Sequence, residues 1–222
     1  MSRTKLAIAI LLFFSSILGG CSTIEISEKT PGSESFSGLQ LGIERAKPLG
    51  IFKFIRLEWN GTDSTPAEAF LIKIRGRFRE TNLFEEILFE KPFVNYPYVE
   101  MEVRFRHMET ENSGTNALKA FVSGITLGLL APLLPLQGIY EGELMVKAIR
   151  SDGLEKEYTA QSSGTSTAYL NMRKFQALHQ KLIRTVDENN FNAVLTQMVE
   201  DSDFFKPTET LDSASPHANN SL

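Results

Sequence analysis

The chain has 222 residues, a formal net charge of −4 and an isoelectric point near 5.5, and it contains one cysteine. A mildly acidic chain without a clustered basic footprint is a poor candidate for a nucleic-acid binder. A single cysteine excludes a disulfide within the chain, so the fold depends on its core alone.

The first 21 residues have the layout of an export signal. Arg3 and Lys5 precede an apolar run over residues 6–17, and Leu18-Gly19-Gly20 then leads to Cys21. A thiolate is the nucleophile that a lipid transferase uses. This segment resembles the lipobox of bacterial lipoproteins.

The lipobox resemblance implies a covalent lipid anchor and no other cofactor. Diacylglycerol would be joined to Cys21, the peptide would be cut between Gly20 and Cys21, and an acyl chain would be added to the new amine. A plain signal peptide or a transmembrane helix is the alternative, but the apolar run is short for a span of about 20 residues. Ser22 resembles the second residue of lipoproteins sent to the outer membrane, which implies a periplasmic domain; a single-membrane cell would display it on its surface.

Cleavage after Gly20 removes two basic residues and leaves 202 residues with 21 basic and 27 acidic side chains, a net charge of −6. This length suits one domain with a sizeable core. Residues 21–47 are predicted to hold the lipidated cysteine and a flexible tether, because residues 22–36 are rich in Ser, Glu, Thr and Gly. A single domain over 48–205 and a disordered polar tail over 206–222 complete the predicted organisation.

The pattern between residues 51 and 105 predicts strands around one helix. Apolar alternation predicts a strand ending at Trp59, and Asn60-Gly61 predicts a turn. Thr65 is predicted to cap a helix that ends near residues 81–82. Residues 84–89 indicate a short strand, and the alternation over 99–105 is typical of a half-buried strand.

The second half of the chain predicts a hairpin and then helices. Strands over 140–150 and 154–165 flank Asp152-Gly153, a dipeptide that favours hairpin turns. From Asn171 the apolar spacing is helical, and the polar run 187–190 predicts a break into two helices. The fold class is therefore α+β, with a mostly antiparallel sheet and helices packed on one face.

A second resemblance covers residues 50–108. The helix end at residues 77–84, followed by a short strand and a long alternating strand, is similar to the TolB amino-terminal-like and curli-secretion-lipoprotein-like domains. This resemblance implies an α+β fold in the bacterial envelope and no particular activity.

An apolar insert over 117–138 is the least ordinary part of the domain. Residues 120–136 contain no charge, and Pro132 and Pro135 would stop a regular helix. A membrane span, a buried helix or loop, and a membrane-dipping or partner-binding loop remain open. The candidate contact residues are Phe121, Val122, Ile125, Leu129 and Leu130.

The sequence shows no pattern that motivates catalysis. His107, His179 and His217 lack partners at metal-ligand spacing, no nucleophile elbow or phosphate loop is present, and Cys21 is assigned to the lipid. We therefore expect a non-catalytic structural or accessory binding lipoprotein, held at the membrane by its anchor and in contact with an envelope protein. The alternative is a carrier or assembly factor that uses residues 120–136 for an apolar ligand or a membrane partner.

Overall fold

The computed structural model describes residues 22–33, 47–91, 96–111, 118–119, 121–122, 125, 134–169 and 172–207. Over these residues the protein is a mixed α+β fold with a seven-stranded, mostly antiparallel sheet and two helices, as predicted. The predicted signal, Cys21, Leu129, Leu130, His217 and the tail from residue 208 lie outside the described residues.

The sheet has the order β1-β7-β6-β5-β2-β3, and β4 pairs with β2 outside this path. Strand β2 runs parallel to β4 and β5, and the other described pairs are antiparallel. The strands are β1 (Thr23–Lys29), β2 (Leu49–Trp59), β3 (Thr62–Ser64), β4 (Ile87–Leu88), β5 (Tyr98–Glu111), β6 (Leu136–Arg150) and β7 (Glu155–Ala168). The helices are α1 (Glu68–Arg79) and α2 (Met172–Glu200), and a 3₁₀ turn follows at Ser202–Phe205.

The core lies between one face of the sheet and the helices. In β5 the predicted alternation is confirmed, because Val99, Met101, Val103 and Phe105 are buried. They share a cluster with Ile74 and Phe78 of α1 and with residues of α2 and the 3₁₀ turn. The other face carries charged residues, as antiparallel sheets with one solvated face commonly do.

Three glycines let α2 lie close to the sheet. A Cβ on Gly138 would come 2.8 Å from the His179 ring, and one on Gly142 would come 3.0 Å from Val186. A Cβ on Gly164 would lie 2.7 Å from both Leu182 of α2 and the backbone oxygen of β1. Larger residues at these positions would push the helix away, so the glycines allow the short distance between α2 and the sheet.

Strand β1 replaces the first part of the predicted flexible tether. Ile24 and Ile26 point towards α2, where they pack on Tyr140, Leu182 and Val186. The alternation contains only two apolar residues, and the rest of the segment is polar, so its composition suggested a tether. The partial burial of these two isoleucines, together with the backbone pairing to β7, explains the strand.

Both predicted helix boundaries need correction. Helix α1 begins at Glu68 with Ala67 as its N-cap, rather than with Thr65, because the chain first forms the short hairpin of β2 and β3. Asn60 and Gly61 adopt the positive φ angles of the predicted turn. Helix α2 continues through residues 187–190 without a break.

Two strand boundaries also differ from the prediction. Strand β4 covers Ile87–Leu88 only, instead of residues 84–89, although Phe84 is buried in the core. Strand β6 begins at Leu136, so the insert predicted over 117–138 ends before it. Leu136 is buried beside Ala168 and Phe175, which explains why this apolar residue belongs to the sheet.

Candidate functional site

One end of the sheet brings together the start of β1 and both ends of the connection from β5 to β6. Thr23 pairs with Thr167, which also pairs with Gln137, and Glu111 pairs with Gly138. Adjacent strands lie roughly 4.8 Å apart, so Thr23 is about 10 Å from Gln137. We call this end, marked by Thr23, Gln137 and Thr167, the β1 end of the sheet.

The described part of the apolar insert exposes its large side chains. Leu118 is 61%, Phe121 is 65% and Ile125 is 66% exposed. These residues are spaced as one side of a helix, and the positions described between them are helical. We call the three side chains the apolar face. At these three positions the interpretation as a buried core helix is wrong.

The apolar face is tied to the β1 end of the sheet by a lysine. The Lys119 ammonium donates a hydrogen bond to the Pro135 carbonyl oxygen at 2.8 Å, directly before β6. Val122, a further predicted contact residue, is only partly exposed. The helices of the described ranges are too short or too polar to cross a membrane.

A buried hydrogen-bonded chain lies between the same end of the sheet and α2. His179 Nε2 is 2.6 Å from Glu109 Oε1, and His179 Nδ1 is 2.9 Å from Ser166 Oγ. Phe175 stacks on the imidazole, and Gly138 leaves room for it. A neutral imidazole that donates a hydrogen bond from Nε2 to Glu109 accepts one from the Ser166 hydroxyl at Nδ1.

The order serine, histidine, carboxylate is that of an activated nucleophile. Here, however, Ser166 is completely buried and His179 is 4% exposed. The hydroxyl therefore faces the helix rather than solvent. The hydrogen bonds that join Ser166, His179 and Glu109 position α2 against the sheet. Sequence reasoning missed this cluster because Glu109 and Ser166 are 70 and 13 residues from His179.

A second polar cluster lies further along α2. The Tyr140 hydroxyl donates to Asp187 Oδ1 at 2.9 Å, and Asn190 donates to the Gly142 carbonyl oxygen at 2.8 Å. Two members of the polar run 187–190 are thus bonded to the sheet, which explains why the helix does not break there. Trp59 packs edge-on against His107 with ring centroids 5.0 Å apart.

Burial changes the protonation of this second cluster. Burial lowers the pKa of His107 to about 4, and neither ring nitrogen has a hydrogen-bond partner. Burial likewise raises the pKa of Asp187 to about 7, against the opposing effects of Tyr140 and Lys73. His107 Nε2 and Asp187 Oδ1 are 3.7 Å apart. The pair is therefore mainly uncharged between about pH 4 and 7.

The solvated face of the sheet is crossed by ion pairs. Arg106 lies 3.9 Å from Glu58 on β2 and 3.5 Å from Glu143 on β6. A cavity of about 120 Å³ opens beside them, lined by Arg106, Met108, Glu141, Gly142, Glu143 and Gln161. No group of residues suited to hold a metal ion occurs within the described ranges.

The comparisons with known proteins add no relative to these observations. No protein-family model matches the chain, and a search of curated proteins finds no significant match.

Proposed function

We propose that this protein is a lipid-anchored envelope lipoprotein whose domain faces the periplasm and acts as a non-catalytic accessory binding module. The observation that carries the proposal is the exposed apolar face, which lies on the same chain as a lipobox-like Cys21. Soluble monomers rarely expose adjoining large apolar side chains unless these meet a partner or a membrane. The Ser22 that follows the cysteine favours the outer membrane.

A binding role is supported by the state of the polar clusters. Ser166 and His179, which have the right order for nucleophilic chemistry, are enclosed between sheet and helix. The exposed features are instead an apolar face and a salt-bridged sheet surface, both of which suit contact with another body. Contact with an envelope protein and contact with the membrane both fit this proposal.

Metabolic labelling tests the anchor. Cells that express the full chain receive an alkyne-tagged fatty acid, and the chain is compared with a Cys21→Ser variant. We expect label and membrane retention in the wild-type protein and loss of both in the variant. Membrane retention without label, together with an uncleaved amino terminus, would instead establish a simple signal anchor and overturn the lipoprotein assignment.

The runner-up is a carrier for an apolar ligand. The cavity on the sheet holds about 120 Å³ and is lined mainly by charged and polar residues, whereas drug-sized ligands occupy several hundred Å³ of mostly apolar space. This cavity therefore lends no support to a carrier, whose ligand would instead be held by residues 120–136. Organic extraction of the purified protein, followed by mass spectrometry, distinguishes a carrier from a contact surface, because a carrier would release a non-covalent lipid in stoichiometric amount.

A further inference from the structure

We propose that the occupant of the apolar face is the lipid bilayer that holds Cys21, and that the domain stands on this bilayer through the β1 end of the sheet. This inference rests on the proposed lipid anchor and goes beyond it, because it assigns the contact partner and the orientation of the domain.

The length of chain before β1 is the first argument. Only Ser22 separates Cys21 from Thr23, the first residue of β1. Two residues of extended chain reach at most about 7 Å. An acylated Cys21 therefore keeps Thr23 within the headgroup layer, and the predicted flexible tether is absent from this stretch.

The strand register is the second argument. Thr23 and the start of β6 are about two strand spacings apart, roughly 10 Å. The Lys119–Pro135 hydrogen bond holds the apolar face to that start. The short chain and the register thus bring the apolar face to the membrane surface, while the turn at Leu154 lies at the opposite end of β6 and β7.

The charge pattern is the third argument. Residues 112–137 contain Lys119 as their only charged residue. Its ammonium is held at the Pro135 carbonyl oxygen, so this single charge lies beside the start of β6 rather than on the apolar face. Leu118, Phe121 and Ile125 can then enter the acyl boundary without taking a carboxylate out of water. A protein partner would also cover the apolar face. We infer the bilayer because the short connection between Cys21 and Thr23 places the bilayer next to this face.

Site-specific fluorescence on the acylated full chain tests the docking. Because Cys21 is consumed by lipid, a new cysteine is the only free thiol. Phe121→Cys and Leu154→Cys form a matched pair, since both replace exposed apolar residues, at 65% and 55% exposure. Each is labelled with an environment-sensitive dye and reconstituted into vesicles of phosphatidylethanolamine and phosphatidylglycerol, with or without brominated acyl chains.

We expect brominated lipid to quench the dye at position 121 at least about twofold and to leave the dye at position 154 unchanged. Strand β6 spans 15 residues, so an upright domain keeps position 154 on the order of 45 Å from the bilayer. Energy transfer from the dye at 154 to a headgroup acceptor should rise when Leu118, Phe121 and Ile125 are all replaced by Ser, because the domain then tilts.

The outcomes separate the docking from the anchor. Acylated, vesicle-bound protein with an unquenched dye at position 121 would overturn the docking alone, and so would equal quenching at both positions. A mass spectrum of the Cys21 peptide without diacylglycerol would overturn the anchor, whatever the dyes report. Unchanged circular dichroism in the Ser variant checks that any change in energy transfer comes from orientation rather than unfolding.

Discussion

Replacing Gly138 by alanine tests whether the hydrogen bonds among Ser166, His179 and Glu109 fix the distance of α2 from the sheet. Gly138 has no positive φ angle, so the alanine backbone itself is unstrained. Its Cβ would nevertheless lie 2.8 Å from two atoms of the His179 ring and 3.1 Å from Phe175. The ring cannot turn aside without breaking its hydrogen bonds of 2.6 Å to Glu109 and 2.9 Å to Ser166.

The expected cost follows from two effects. Forcing an extra methyl group into a packed site costs about 1–3 kcal/mol, and leaving a buried polar group without its partner costs about 1–3 kcal/mol more. Alanine also stabilises the folded protein by about 0.4–1 kcal/mol, because it reduces the conformational entropy of the unfolded chain. We therefore expect Gly138→Ala to lower the free energy of unfolding by about 1–6 kcal/mol.

Urea unfolding of the detergent-solubilised chain measures this difference. Trp59 is the only tryptophan, and it lies beside His107 under α2, so its fluorescence follows the relevant packing. Gly76→Ala is the matched control, because nothing lies within 4 Å of its Cβ and the site is inside α1, where alanine should add about 0.5–1 kcal/mol.

A His179→Ala background decides the cause. If the clash with the imidazole is responsible, Gly138→Ala should cost at least about 1 kcal/mol less once the ring is absent. The reasoning is refuted if Gly138→Ala stays within about 0.5 kcal/mol of wild type. It is also refuted if the cost is the same with and without His179, since the contact with Phe175 would then account for it.

Three further substitutions probe the contact of β1 with the sheet and the His107–Asp187 pair. Gly164→Ala places a Cβ 2.7 Å from the Glu25 carbonyl oxygen and from Leu182, so β1 should lose hydrogen-exchange protection before the rest of the sheet; uniform loss across all strands would contradict this. Burial raises the pKa of Asp187 to about 7, so its protonated form favours the fold below about pH 4 and this contribution is lost as pH rises through 7. Burial lowers the pKa of His107 to about 4, so its contribution is present above about pH 6.5 and is lost as pH falls through 4. The two trends oppose each other, so wild-type stability should be nearly flat between pH 4 and 6.5. His107→Leu should make the free energy of unfolding fall with rising pH, by at most about 4 kcal/mol, and Asp187→Asn should make it rise; chemical denaturation across this range would contradict the assignment if neither variant acquires a slope.

The sequence predicts those elements whose burial is regular over many residues. Strand β5 was predictable because Val99, Met101, Val103 and Phe105 alternate with charged residues and all four are buried. Strand β1 was not, because only Ile24 and Ile26 face the core and its other residues are polar and exposed. A strand at the edge of a sheet needs few apolar residues, so its composition approaches that of a linker.

The candidate site was predictable only where its residues lie together in one segment of the sequence. The uncharged insert could be singled out from its composition, whereas its exposure depends on how the chain packs. The Ser166–His179–Glu109 chain has no local pattern, since the sheet register and α2 together assemble it. Helix α2 was predicted to break at a polar run because the hydrogen bonds of Asp187 and Asn190 to the sheet leave no trace in the sequence.

The contacts between β1 and the rest of the domain determine how an anchor at Cys21 would restrain the domain. An antiparallel edge strand pulled from Thr23 opens one pair at a time, so the number of hydrogen bonds matters less than the first side chains that resist. Those are Ile24 and Ile26, packed on Leu182 and Tyr140, and the pairing with β7 becomes irregular directly after Ile26. The strand is therefore fixed to the core mainly near Thr23, where α2 covers it, and a load at Cys21 would be passed directly to α2, the longest helix of the described fold.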